Sequence, residues 1–142
     1  MDKLSVFYNP SQTVRDNNSF SPSAGKPEHV VKLFSKNPRV RVVEDWKPLT
    51  RDEICIAHDP DFVDGILDLK HPNGFGNKLP SVADSLHYTN GSFLRAAQYA
   101  YYNNTVAMSP TSGFHHAMPN RGGGFCTFSG QVIAALKIYR EF

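Results

Sequence analysis

The sequence predicts an α/β protein with a largely parallel sheet, and three observations carry that reading. Short β-prone runs at residues 4–8, 40–44 and 105–108 are separated by stretches with helical periodicity, not by two-residue turns. The helical stretches open on cap and proline signals. The chain has 142 residues, 40% of them hydrophobic, enough for one domain that buries about 68% of the surface its unfolded chain exposes. Residues 1–142 are therefore read as a single domain.

Leu4-Ser5-Val6-Phe7-Tyr8 is the first strand, closed by the turn signal Asn9-Pro10. Residues 11–25 are rich in Ser, Asn and Pro, show no period and read as a surface loop. Lys26-Pro27 opens a helix, because proline at the first helical position gives up an N–H that has no partner there anyway. Val30, Leu33 and Phe34 fall at i, i+3 and i+4 and predict one buried face, and Asn37-Pro38 stops the helix. After the second strand, Trp46-Lys47-Pro48 breaks the chain. Thr50 and Glu53 then fit a capping box, each satisfying the other's backbone N–H.

Asp59-Pro60 repeats the cap-then-proline signal, with Phe62, Val63, Ile66 and Leu67 on the apolar face that follows. Residues 70–79 are loop again. The next helix is expected to begin near Asn90 or Ser92 and to run through Phe93, Leu94, Ala97 and Tyr101 to Asn103-Asn104. A last helix over residues 130–141, capped by Ser129, places Val132, Ile133, Leu136 and Tyr139 on one side.

Charge and composition exclude several classes of function. Fifteen basic against 13 acidic residues leave a net charge of +2, too little to argue for nucleic acid, and the basic residues form no run that could neutralise a row of phosphates. No apolar stretch is long enough to span a membrane. Met1-Asp2-Lys3-Leu4 does not read as a signal peptide. Two cysteines, Cys55 and Cys126, are too few for a disulfide framework and read as reduced thiols in a cytoplasmic protein.

The chemistry concentrates in residues 109–128, SPTSGFHHAMPNRGGGFCTF. Successive side chains of a strand point to opposite faces, so His115 and His116 can share a site only if the strand has ended, and Gly113 and Pro119 make that plausible. Gly122-Gly123-Gly124 permits positive φ and a close approach of backbone to a ligand. A neutral imidazole, with a pKa near 6.5, is the side chain best suited to take and return a proton at neutral pH. The loop also follows a strand, on the side where open parallel sheets hold their ligands.

Gly113-Phe114-His115-His116-Ala117, followed by Gly124-Phe125-Cys126-Thr127-Phe128, resembles the GHHA…GFC-aromatic signature of the zinc-dependent histone deacetylase superfamily, which includes acetoin-utilisation proteins and acetylpolyamine amidohydrolases. Residues 54–67, ICIAHDPDFVDGIL, Gly91-Ser92 with Ala96-Ala97, and residues 132–136 resemble further family segments in the same order. The resemblance implies a three-layer arginase/deacetylase-type fold, of which this chain would be the amino-terminal part. It also implies hydrolysis of an N-acetyl amide, in acyl-lysine or an acetylpolyamine-like compound, by a zinc-activated water. By the same resemblance His115 and His116 are the general base and acid pair, with His116 the proton acceptor. Gly124 stands beside the acyl chain, Phe125 forms a channel wall, Phe114 lies near the channel foot, and Phe75 belongs to a rim loop.

The family's metal-ligand segment, DxDxHxxDG, and its later aspartate and tyrosine are not found here, so those ligands are expected beyond Phe142. The reading is then a truncated deacetylase, with no complete zinc site and no activity in the isolated chain. Asp59, Asp61, Asp64 and Asp68 are expected to be remote from the histidine loop, and His29, His58, His71 and His87 form no ligand spacing. His58 is read as a packing residue and Cys126 as a buried packing thiol. The chain departs from the family at the HPExPxR segment, whose nearest counterpart, Ser21-Pro22-Ser23-Ala24-Gly25-Lys26-Pro27, lacks the histidine, glutamate and arginine. A sheet cut midway leaves an open edge and an uncovered apolar helix face, which predicts a homo-oligomer, or pairing with another chain, over a monomer. Two alternatives stand beside the enzyme: a non-catalytic deacetylase-like binding protein, and an unrelated α/β domain in which the histidine pair and glycine triplet coincide.

Overall fold

The computed structural model describes residues 3–141; Met1 and Asp2, on which part of the N-terminal reading rests, and Phe142 lie outside the described residues. Three strands form a parallel sheet in the order β2-β1-β3: β1 (Leu4–Phe7), β2 (Val40–Val43) and β3 (Ala107–Met108). Leu4 pairs with Val40 and Phe7 with Val43 on one side of β1, while Ser5 pairs with Ala107 on the other. The long separations in sequence are filled by helices, as parallel pairing requires: α1 (Lys26–Phe34), α2 (Arg51–Ile54), α3 (Pro60–Leu67) and α4 (Pro80–Tyr102). After β3 a long irregular loop leads to α5 (Gly130–Arg140).

The start signals of α2, α3 and α5 act as the sequence predicts. Thr50 and Glu53 form a reciprocal capping box, Asp59 accepts from the Asp61 N–H, and Ser129 accepts from the Val132 N–H. The core joins α2, α3, α4 and α5 through Leu49, Ile54, Val63, Ile66, Leu94 and Ile133, with Phe128 from the loop. Burying each such side chain contributes roughly 1.5–3 kcal/mol.

Three expectations are corrected. Helix α4 begins at Pro80, ten residues before Asn90 and twelve before Ser92, the expected starts, because Val82, Ala83 and Leu86 are buried and extend its packed face. Asn90, Gly91 and Ser92, which look like a cap, lie mid-helix where small residues let the chain at Pro48 and Leu49 press close. A Cβ on Gly91 would stand 3.1 Å from the Pro48 Cα. In α1, Leu33 is 65% and Phe34 40% exposed; the buried residue of that helix is Pro27. In α5 the packed seam is Ile133 and Ala134, and Val132, turned about 100° from Ile133, is exposed along with Tyr139.

Residues 11–25 are also more than a solvated connection. They include the end of a 3-10 turn at Pro10–Gln12, and a second at Ser23–Gly25, and they bury Gln12, Val14 and Ala24. No helix among the described residues is long and apolar enough to cross a membrane.

Candidate active site

The loop between β3 and α5 is clamped at its start by buried polar groups from two other elements. Gln12 donates from Nε2 to the Pro110 carbonyl at 2.6 Å. Ser92, on α4, donates to the Phe7 carbonyl at 2.6 Å, so the 2.6 Å contact between the Ser92 and Ser109 hydroxyls is a donation from Ser109. Both clamps sit at the carboxyl ends of β1 and β3, which fixes where the loop leaves the sheet.

The strand has ended before the histidines. Ala117 N–H donates to the Phe114 carbonyl, closing a turn that carries His115 and His116. Their rings therefore lie side by side, with centroids 4.1 Å apart and planes at 45°, and both are exposed. Phe114 points the other way, into the interior against Phe93 at 5.2 Å and against Gly130.

Gly124 lies beneath His116. Its φ is +54°, and a Cβ there would fall 2.6 Å from the His116 Cδ2 and 2.8 Å from Cγ, so both conformation and space demand glycine. Phe125 follows at φ 67°, a left-handed conformation that is uncommon for an aromatic residue. Its N–H donates to the Gly74 carbonyl at 3.0 Å, and Gly74 N–H donates to Thr127 Oγ1 at 2.9 Å. Gly74 is packed flat on the Cys126–Thr127 peptide, where any side chain would collide. This stitching brings Phe75 within 6.0 Å of Phe125, and Phe20, 97% exposed, stacks on Phe125 from the other loop at 6.4 Å.

The far end of the loop rests on His58. Ser129 N–H donates to His58 Nε2 at 2.9 Å, so that nitrogen carries no proton; Nδ1 does, and donates to the Met118 carbonyl at 2.9 Å. Burial is the main influence on His58 and pushes its pKa below the usual histidine value, against the smaller opposing effect of the Met118 and Pro119 carbonyls. Asp59 N–H donates to the Pro119 carbonyl at 2.8 Å. The start of α3 is thus joined to the loop, which corrects the expectation of remoteness for Asp59 and Asp61, whereas Asp64 and Asp68 are held by Arg51. Asp59 and Asp61 line an open cleft of about 420 Å³ with Phe62, His71, Arg121 and Gly122.

The structure therefore gathers His115, His116, Gly124, Phe125 and Phe75 on one side, with Phe114 beneath them. Sequence reading missed His58, Gln12 and Ser92 as the supports of the loop; the partners of His58 stand 60 and 71 residues away, beyond any local pattern. Cys126 is buried, with its thiol directed at the Gly124 carbonyl at 3.6 Å, and both cysteines are free. Among the described residues no three His, Cys, Asp or Glu side chains come together as a metal site. The residues present do not fit a bound zinc ion.

A family model described as the histone deacetylase domain matches residues 23–142. The crystal structure of the HDA15 HD domain is similar over 99% of this chain, with a TM-score of 0.74 and 14% sequence identity, a likeness of fold. The chain spans 44% of the length of that structure. No curated protein matches the sequence.

Proposed function

Because the chain belongs to the histone deacetylase domain family, we propose that it supplies the proton-handling histidines and acyl-binding wall of an amidohydrolase acting on N-acetyl amides. Acyl-lysine and acetylpolyamine-like compounds are the substrate classes. His116 is the proton acceptor and His115 its partner in returning a proton to the departing amine. The observation that carries this reading is the pair of imidazoles 4.1 Å apart with His116 lying on the side-chain-free backbone of Gly124. Phe125 and Phe75 flank the acyl chain, and Phe114 supports the floor.

Zinc is the family's metal, yet no ligand set stands among the described residues, and on that ground we hold the isolated 142-residue chain to be inactive. In this reading the chain is cytoplasmic, in keeping with its free thiols, and a homo-oligomer through its open sheet edges. The same missing ligand set favours, as a second reading, a non-catalytic protein that binds acetylated ligands.

The test is a titration of the pure chain with an N-acetyl-lysine peptide and with N-acetylputrescine, read by NMR and by product formation with and without added zinc. Shifts at His116 and Gly124 without turnover are expected. Robust zinc-dependent turnover would overturn the inactivity, and absence of any shift with both probes would overturn the acyl-binding assignment. Loss of binding in His116→Ala distinguishes this site from any other.

A further inference from the structure

We propose that His58 is a positioning residue: its neutral, Nδ1-protonated imidazole latches together the two ends of residues 118–129, and so holds Gly124 and Phe125 against His116 and the Gly74 turn. The ring uses its two nitrogens with opposite polarity. One accepts from Ser129, the cap residue of α5, and the other donates to Met118, at the start of the glycine-bearing segment. It is buried, packed against Phe128 at 5.2 Å and Phe62 at 6.0 Å, so water cannot substitute freely for either bond.

Only the neutral ring can do this. An imidazolium has two donors and no acceptor, and would turn an N–H toward the Ser129 N–H. Among the described residues no charged side chain is paired with the ring. Asp59 caps α3, Arg51 holds Asp64 and Asp68, and Lys137 of α5 holds Glu53. Asp61 and Arg121 line the open cleft. Burial and the two backbone carbonyls are what act on the His58 ionisation. The latch therefore opens when His58 is protonated, and the glycine segment is released from its lower end.

The test reads the loop itself in the full chain. Imidazole nitrogen NMR should show His58 as the Nδ1–H tautomer at pH 7.5, and the Gly122, Gly123 and Gly124 amides should shift with the midpoint of the His58 titration. His58→Phe should speed hydrogen exchange at Gly123 and Phe125 by at least about tenfold while β1 exchange stays unchanged. His58→Gln, whose amide both donates and accepts, should restore protection and abolish the pH step. An Nε2–H tautomer, glycine amides that ignore the His58 titration, or unchanged exchange in His58→Phe would each overturn the latch. The two wild-type measurements decide the matter even if His58→Phe does not fold. Because none of these readouts is turnover, failure here leaves the amidohydrolase reading standing, and an absence of acetyl-amide binding leaves the latch standing.

Discussion

Gly124 meets two requirements at one position, a positive φ and contact with the His116 ring. Gly124→Ala should cost about 1–2 kcal/mol from the left-handed conformation alone and push His116 aside, seen as a lower urea midpoint and altered His116 resonances. His58 gives a pH dependence of known sign. Its pKa in the folded chain lies below the usual value, so the unfolded chain binds the proton more readily. Its contribution is full above an unfolded pKa of about 6.5 and is lost as pH falls below that toward the folded value. Denaturant midpoints compared at neutral and mildly acidic pH should show this fall, and a smaller one in His58→Gln. Of the residue-scale features, the neighbouring histidines and the glycine triplet were legible because they are close in sequence. The left-handed Phe125 was not, since its conformation is imposed by the bond to Gly74, about fifty residues earlier.

Elements whose ends are set locally were read well: α2, α3 and α5 begin on side-chain caps, and those bonds span two or three residues. Helix α4 was misread because small polar residues carry two meanings, cap or close-packing surface, and only the neighbouring chain decides between them. Ser92 shows the difference. Mid-helix, its hydroxyl ties the end of β1 to the start of the histidine loop. Ser92→Ala leaves the Phe7 carbonyl and Ser109 without that partner, a loss of about 1–3 kcal/mol for buried groups. Thermal unfolding should report this loss, and loop resonances near Ser109 should move while α3 resonances do not. The exposed Leu33 and Phe34 of α1 teach the complementary lesson: periodicity identifies a face, whereas burial depends on whether another element is there to cover it.

The order of strands and helices was legible at the scale of the molecule, because alternating strand and helix signals leave few parallel arrangements open. What pattern alone did not supply is the convergence of three loops around Phe125, which rests on contacts between residues far apart in the chain. Strands β2 and β3 each pair only with β1 among the described strands, and Val106 and Tyr139 are exposed. Self-association is therefore expected, as a mass above that of one chain in light scattering at high concentration; a stable monomer there would count against it. The central place of β1 also bears on biosynthesis. That strand leaves the ribosome before either neighbour, and its partner Ala107 is made about one hundred residues later. A nascent chain can pair β1 with β2 once residues 40–43 are made, yet it carries the other edge of β1 open until β3 follows, so that edge is exposed to wrong pairing through most of synthesis.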